Sequence, residues 1–404
     1  MQSDTYGRLF EGDYWQHALE VGDRVRAVEP VHRTEVGGYL PVTVISRYSD
    51  ARRALTDPRL SKDSGRIRSA MERHLRAAGL STELSGMFQP HLLFQDAPAH
   101  GRLRRLLADG FTRSRIEQLR PRVLELTRTL IDAFPADEPF DLVDRFAFPL
   151  PLTVICELMG VPAQDHAALR DWTAALMGDV PELLLPSSRA MSAYFAELIR
   201  SKRKHPGDDL LSALARGSAT DRLDDEELIG TAFLIVVAGH ETSTNAIAKV
   251  VRWLLADPAL WRHLAENPHK ITQAIEEVWR FDSPIRMASH RITTTPVVYS
   301  GVEIPSGEIV LVSLMSANRD PEVFSDPTTL RIEREDARRH LSFGYGMHHC
   351  LGAPLGRMEA ELALRQLIDR LPHARLAVDP ELIPAQRSAI MAGIEELLVH
   401  PHRP

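Results

Sequence analysis

The feature that most constrains this chain is a long apolar helix with polar residues at its centre. The helix is predicted to begin after Asp224, which forms a capping box with Glu227, and to run to the stop at Pro258. At 1.5 Å per residue its length is on the order of 50 Å, enough to cross a whole domain. Its segment AFLIVVAG is apolar on every side and must be buried. A chain built around such a helix is expected to be mainly α-helical.

Polar residues interrupt this helix where burial is most complete. The stretch GHETSTN, 239–245, consists mostly of poor helix formers. One interpretation is a bent helix in which Ser and Thr hydroxyls bond to backbone carbonyls. The other is a functional site, because a sequence that places polar groups in its core usually needs them there.

Composition limits the classes of partner and the compartment. The 404 residues carry a net charge of -7 without a long basic run, which argues against nucleic acid as the main partner. Only two cysteines occur, so no disulfide framework is expected and a reducing cytoplasm fits best. Neither a secretory signal nor a run long enough to span a membrane is apparent. We expect one cytoplasmic α+β domain over 1–404, with small β-sheets near 25–50 and 290–315 and helices elsewhere.

The stretch FGYGMHHCLG, 343–352, offers three candidate metal ligands in a row. Consecutive residues cannot readily face one tetrahedral zinc ion, and no second Cys or His pair completes a set. Cys350 precedes a predicted helix with Pro354 in its first turn, and a helix N-terminus stabilises a thiolate. Glycines here let the backbone approach a flat ligand. The candidate ligand is haem iron; the alternative is a buried structural cysteine.

The same stretch resembles the haem-binding loop of the cytochrome P450 monooxygenases, F-x-x-G-x-[RH]-x-C-x-G. The matching residues are Phe343, Gly346, His348, Cys350 and Gly352. The resemblance implies a single triangular fold that holds haem b between the long central helix and the helix after the cysteine. It makes Cys350 the axial metal ligand, with Phe343, Gly344 and Gly352 against the cofactor, and gives His348 a role in supporting the loop or a haem propionate. His349 is expected on the surface.

Further motifs follow in the order of that family. Glu277 and Arg280 form an E-x-x-R unit whose partner would be Arg334. The aromatic residue and the aspartate usual before the cysteine loop are replaced by Leu330 and Arg331, which puts the packing of that stretch in doubt.

The resemblance also assigns roles around the cofactor. AGHET, 238–242, resembles the oxygen-binding groove, with Ala238 and Gly239 beside the iron. Thr242 would hydrogen-bond dioxygen and Glu241 would relay protons from solvent. Each of four further residues, read alone, is typical of a solvated surface, but together they match the family's propionate donors: His100, Arg104, Arg291 and His340.

The function implied is a monooxygenase that hydroxylates or epoxidises a bulky, largely apolar molecule with O2. Phrases such as PLPLTVICELMGVP look most like bacterial enzymes that tailor macrolides and other polyketides in antibiotic biosynthesis. Electrons would come from a ferredoxin and an NAD(P)H-dependent reductase, which would dock on a basic face formed by Arg102, Arg105, Arg113 and Arg357. The pocket would draw on residues 62–95, 175–190, Phe233, Val237, Ala238, Ile285–Ser289, Ile390 and Met391, with Arg286 as a polar contact.

Two alternatives stay open at this point. The same scaffold could perform another oxidation, such as aryl coupling, nitration or ring formation. A haem-binding sensor or carrier without turnover is the second. The presence of both Glu241 and Thr242 argues against a sensor, because a protein that only binds haem has no need to deliver protons.

Overall fold

Helices make up most of the computed structural model, which describes residues 9–177, 181–217 and 222–401. The α-helices in these ranges are α1 (Ala18–Val28), α2 (Tyr48–Thr56), α3 (Ser64–Ala77), α4 (Ala99–Ala108), α5 (Arg113–Asp132), α6 (Pro149–Met159), α7 (His166–Met177), α8 (Pro181–Lys204), α9 (Leu210–Arg216), α10 (Asp225–Ala256), α11 (Pro258–Glu266), α12 (Ile271–Phe281), α13 (Leu314–Ala317) and α14 (Ala353–Arg370).

The strands form three small sheets. A five-stranded sheet has the order β1-β2-β8-β5-β3, a three-stranded sheet the order β4-β10-β9, and β6 pairs with β7. In the largest sheet β1 and β2 form an antiparallel hairpin with Val31 opposite Ile45, and β8 runs parallel to β2. The strands are β1 (Val31–Val36), β2 (Leu40–Ile45), β3 (Leu60–Ser61), β4 (Phe140–Asp141), β5 (Met287–Thr293), β6 (Val297–Tyr299), β7 (Val302–Ile304), β8 (Ile309–Ser313), β9 (Arg375–Leu376) and β10 (Leu398–His400).

The central helix α10 is confirmed at the predicted position. Asp224 is its N-cap, its side chain accepting a hydrogen bond from the backbone N–H of Glu227 while the Glu227 side chain bonds back to the N-cap. The helix is continuous through the polar stretch 239–245 and ends at Ala256, before Pro258. Its 32 residues give a length of roughly 48 Å.

Two apolar cores meet along α10 on either side of its polar stretch. The first half of the helix, through residues such as Phe233 and Val236, packs with α6, α8 and α9. The second half, through residues such as Val250 and Leu254, packs with α5, α12 and α14. Because each half is fixed by its own core, the polar segment between them can serve a site without unravelling the helix.

A buried ion cluster fixes the segment that precedes the cysteine loop. Arg280 donates two hydrogen bonds to the carboxylate of Glu277, at 2.7 and 2.8 Å, and Arg334 donates a third at 3.0 Å. The predicted contact between the E-x-x-R unit and Arg334 is therefore confirmed. The unusual Arg331 joins it through its backbone N–H, 3.0 Å from Glu277 Oε1, and Leu330 packs against the core. Both substitutions are thus accommodated.

The expected fold class is confirmed, since the structure is mainly helical with small sheets. No helix in the described ranges has the length and apolarity needed to cross a membrane.

Candidate active site

The cysteine loop presents Cys350 at the start of α14. The backbone N–H of Cys350 donates to the carbonyl of Phe343 at 2.8 Å, which closes the loop on itself. Gly344 and Gly346 have φ values of +72° and +75°, in the left-handed region that favours glycine. A Cβ at Gly346 would lie 2.7 Å from Cγ2 of Thr56, so that position is also closed by packing. Between and beyond these glycines, Tyr345 and Met347 are exposed.

The electrostatics of the thiol differ from the sequence expectation. Cys350 is exposed at the cavity, yet the protein atoms packed around its sulfur desolvate the thiol and raise its pKa above the usual value. The backbone N–H groups of Gly352 and Ala353, and the charges of Arg104 and Arg357, act in the opposite direction. The helix N-terminus does stabilise the thiolate, as predicted, but its effect is smaller than the cost of desolvation. A bound cation such as a metal ion would supply the remaining stabilisation.

A cavity of about 290 Å³ lies between the cysteine loop and α10. It brings together most of the residues that the sequence assigned to the site: His100, Arg104, Ala238, Gly239, Thr242, Arg291, Phe343, Gly344, His348, Cys350 and Gly352. His349 is exposed, as expected, and also borders the cavity. Glu241 and His340 are placed elsewhere.

Gly239 lines the cavity as expected, and close packing between two helices also requires a glycine there. A Cβ at this position would lie 2.8 Å from Cγ1 of Ile155 in α6. The absence of a side chain therefore allows α10 and α6 to pack closely, and Ile155 itself lines the cavity. The room beside the ligand comes from helix packing as much as from the glycine.

Thr242 and Glu241 occupy different environments on α10. The Thr242 hydroxyl donates to the carbonyl of Ala238 at 2.8 Å and lines the cavity. Such a bond from a Thr hydroxyl to a backbone carbonyl was expected for a bent helix, but α10 is continuous through this position. The Glu241 carboxylate is buried, with Oε1 3.3 Å from Nε2 of His240. Thr242 is therefore positioned to contact a ligand directly, and Glu241 only through other groups.

A cluster of basic side chains lines one part of the cavity. The rings of His100 and His348 lie 4.2 Å apart. Nε2 of His100 and Nε of Arg291 are buried without hydrogen-bond partners. Burial lowers the pKa of Arg291 to about 10 and that of His100 to about 4, and it lowers the pKa of His348 strongly. Arg104 bonds to the carbonyls of Met347 and His349, at 3.2 and 2.9 Å, and so ties α4 to the cysteine loop.

His340 does not belong to this cluster. Its Nε2 lies 3.0 Å from Oε2 of Glu276, and its Nδ1 accepts from the backbone N–H of Ser342 at 3.1 Å. Arg357 bonds to the same carboxylate at 2.6 Å. Both ring nitrogens are used within the protein, so the expectation that His340 contacts a propionate is not supported by its position.

Comparison with known proteins identifies the family. The cytochrome P450 family matches residues 189–397. The chain is 43% identical over 375 residues to cytochrome P450 107B1 of Saccharopolyspora erythraea, covering 92% of each chain. It is 36% identical to the mycinamicin IV hydroxylase/epoxidase of Micromonospora griseorubida over 98% of this chain and 97% of that one. The structure of the tirandamycin C-bound P450 monooxygenase TamI superposes with a TM-score of 0.90 at 38% identity, over 97% and 99% of the two chains.

The chain belongs to the cytochrome P450 family. The monooxygenases among its relatives support a haem-thiolate monooxygenase, homologous to enzymes that tailor macrolides and polyketides. A small-molecule substrate, O2 and redox partners follow from the family.

The residues of this cytochrome P450 fit a haem. The cavity has one thiol, Cys350, and a separate basic cluster in which buried nitrogens of His100 and Arg291 have no partner. A planar ligand with two carboxylates supplies acceptors to those nitrogens and a metal to the thiol. The donor set therefore matches an iron porphyrin better than a bare metal ion.

The sequence analysis did not foresee the burial of two ionisable residues of this cytochrome P450. Lys62, the first residue of the expected pocket segment 62–95, lines the cavity with its side chain almost fully buried, and what was not foreseen is its buried charge. Glu359, in α14, is buried beside Ser243 of α10, and burial raises its carboxyl pKa to about 8 while the Ser243 hydroxyl opposes the shift. Neither belongs to a recognisable motif, and burial of a single charged residue is not visible in a sequence.

The apolar part of the cavity agrees only partly with the expected pocket. Ala238, Ile285, Ala288 and Ser289 line it as expected, whereas Phe233 is turned into the core against Gly86. Arg286 is buried over the rings of Tyr14 and Trp15. Residues 178–180 of the expected segment 175–190 lie outside the described residues. Leu92 and Leu93 of the expected segment 62–95 also line the cavity, and Leu234, Ile235 and Leu314 are among the apolar lining residues that were not expected.

Proposed function

We propose that this cytochrome P450 binds haem b through Cys350 and hydroxylates or epoxidises a bulky, largely apolar metabolite of the polyketide type. The observation that carries the proposal is the placement of one thiol and a separate basic cluster on the same mainly apolar cavity. When bound, the haem supplies activation of O2 and transfer of one oxygen atom to carbon.

Different residues of this chain would bind the iron, the propionates and the faces of the haem. The Cys350 sulfur would be the axial ligand, approached by backbone N–H groups at the start of α14. His100, Arg104, Arg291 and His348 would bind the propionate carboxylates through charge-assisted hydrogen bonds. Phe343, Gly344, Ala238, Gly239 and Gly352 would complete the walls of the slot.

Proton movement would depend on the polar stretch of α10. Oγ1 of Thr242 faces the cavity and could accept a hydrogen bond from a group held there, while its own O–H donates to the Ala238 carbonyl. The Glu241 carboxylate, next to His240, would exchange protons with solvent and pass them towards Thr242 through water. A non-catalytic sensor would not require this pair.

The substrate class is inferred from the cavity and the relatives. The apolar residues of α10 and β5 favour a hydrophobic skeleton. Among the relatives, the TamI structure contains bound tirandamycin C, and another is named a mycinamicin IV hydroxylase/epoxidase. A macrolide or related polyketide is therefore the first substrate to test, ahead of other oxidations on the same scaffold.

A ferredoxin is the proposed electron donor, in the cytoplasm. Of the four expected contact residues, Arg105 and Arg113 are exposed. Arg102 pairs with Glu227, and Arg357 pairs with Glu276, so these two are less able to meet an acidic partner. We therefore place the charged part of the docking face at the exposed Arg105 and Arg113.

The deciding experiment is the carbon monoxide difference spectrum of the reduced protein, wild type beside Cys350→Ser. The proposal predicts a strong long-wavelength Soret band in the wild type that is absent in the variant, because only a thiolate ligand produces it. Cys156→Ser, a change at the buried cysteine of α6, is the matched control and should keep the band. A band typical of histidine ligation that persists in Cys350→Ser would overturn the assignment.

A further inference from the structure

Lys62 is a buried cation without a negatively charged partner in the described part of the chain. Only 2% of its surface is exposed. Its Nζ donates to Oγ of Ser289 at 2.5 Å and lies 5.6 Å from the centre of the Phe94 ring. Taking an ammonium group out of water is costly unless an anion compensates the charge. Burial accordingly lowers the pKa of Lys62 well below its usual value.

The nearest carboxylate is already used by other donors. Asp96 accepts from the backbone N–H of Lys62 at 2.9 Å and from the hydroxyl of Ser61 at 2.5 Å. These bonds fix the backbone at Lys62 and leave its side chain to point along β5 towards Ser289. The turn after β3 thus holds the lysine in place. The Asp96 charge compensates the ammonium only from a distance, because no bond between this carboxylate and Nζ is found in the described part of the chain.

The Lys62 ammonium adds to the positive charge of the basic cluster. Burial is the main cause of the lowered pKa values of Lys62 and His100. Repulsion between Lys62 and Arg291 and between Lys62 and His100 lowers them further, while the charge of Asp96 acts in the opposite direction. Both Lys62 and Ser289 line the cavity together with these residues. Cations that repel one another in a buried position indicate a bound anion.

We propose that Lys62, held by Ser289, binds a carboxylate of the haem and so belongs to the cofactor site together with His100, Arg104, Arg291 and His348. This inference rests on the proposed haem function. Lys62 is a positioning residue: it neutralises and orients the acidic edge of the cofactor. Ser289 Oγ accepts a hydrogen bond from one N–H of the ammonium, which leaves two N–H groups to donate to the carboxylate.

The test compares holoprotein of the wild type with Lys62→Met and Lys62→Arg. Methionine keeps most of the volume and removes the charge, whereas arginine keeps the charge. The rate of haem transfer to excess apomyoglobin should rise roughly tenfold in Lys62→Met, the loss expected for one charge-assisted hydrogen bond, and by much less in Lys62→Arg. The propionate bending modes in the resonance Raman spectrum should shift in Lys62→Met. A merely structural role would not move them.

A substrate with a carboxylate could also bind Lys62. A second measurement distinguishes such a substrate from the haem carboxylate. Dodecanoic acid and dodecanol differ only in the carboxylate, so their spin-state titrations reveal whether Lys62 contacts a substrate acid. Unchanged haem transfer and Raman modes, with weaker binding of the acid alone, would overturn the haem assignment and give Lys62 to the substrate. Unchanged values in every measurement would overturn the inference entirely.

Ser289→Ala provides a second test in case Lys62→Met fails to fold. It removes the group that holds the ammonium but leaves the charge, so it should raise the haem transfer rate by less than Lys62→Met does. If Lys62→Met does not fold, an unaltered transfer rate and Raman spectrum in Ser289→Ala would count against the inference. A wild type that binds no haem would instead refute the proposed function.

Discussion

Two groups of buried cations in this protein have opposite relations to their surroundings. Arg280 and Arg334 share the carboxylate of Glu277, and their remaining N–H groups reach backbone carbonyls such as those of Pro327 and Ser325. In the described part of the chain neither Lys62 nor Arg291 forms an ion pair with a carboxylate, Asp96 acts on both only from a distance, and Nε of Arg291 has no hydrogen-bond partner. The first group is complete within the chain and holds the fold together. The second is incomplete and requires a ligand.

The strongest way to break the complete group is Glu277→Gln. The amide cannot neutralise two buried guanidinium groups, so we expect a loss of about 3–5 kcal/mol in the free energy of unfolding. Urea unfolding followed by circular dichroism measures it. Glu396→Gln, at an exposed position, is the control and should change the value by less than about 0.5 kcal/mol. A similar small change in Glu277→Gln would show that the cluster is not a structural element.

A second buried carboxylate with bonds to cations inside the chain, Glu276, should make the free energy of unfolding depend on pH. Burial opposes ionisation of its carboxyl, but hydrogen bonds from His340 and Arg357 outweigh burial and lower the pKa from 4.5 to about 2. A carboxyl with a lowered folded-state pKa stabilises the protein fully above its unfolded pKa and loses that contribution as the pH falls towards the folded value. Stability should therefore fall between pH 4.5 and about 2, by about 3 kcal/mol from this group.

Urea unfolding from about pH 6 to about pH 3.5 gives the measurement. Glu276→Gln should be less stable than the wild type at neutral pH and should show a shallower loss on acidification. Parallel pH curves for the two proteins would contradict the assigned contribution of Glu276.

Arg291→Met sharpens the comparison because its effect should depend on the ligand. Without haem, methionine removes a buried charge that has no carboxylate partner, so the free energy of unfolding should stay within about 1 kcal/mol or rise. With haem, the variant should be less stable than the wild type, since it loses a charge-assisted hydrogen bond and the ligand stabilises only the folded state. Urea unfolding with and without haem measures both. Equal destabilisation with and without haem would show that Arg291, like Arg280 and Arg334, stabilises the fold rather than binding a ligand.

The sequence predicted those parts of the molecule that depend on local pattern. The capping box at Asp224 and Glu227 depends on neighbouring residues, and it was found where expected. The E-x-x-R contact was also found, because three residues on a helix bring two side chains to one face. Cys350 and its glycines were recognisable because the loop needs them at fixed spacing.

The rest of the site depends on contacts between distant segments. Lys62 and Ser289 are 227 residues apart, and only the pairing of β3 with β5 brings them together. His340 was misassigned because its sequence position does not reveal that Glu276 occupies its ring. Gly239 lines the cavity as expected, but its close packing against Ile155 was not foreseen because Ile155 lies on another helix. These relations are set by tertiary packing and leave no local pattern.

The cysteine loop divides into positions that cannot vary and positions that can. At Gly344 and Gly346 the left-handed backbone excludes other residues, and at Gly346 Thr56 adds a steric barrier. Tyr345 and Met347 between and beyond them are 37% and 43% exposed. Selection can therefore redesign the exposed surface of this loop, including any part that meets the proposed electron donor, while the peptide behind it stays unchanged. Adaptation to a new redox partner need not disturb the chemistry of the iron.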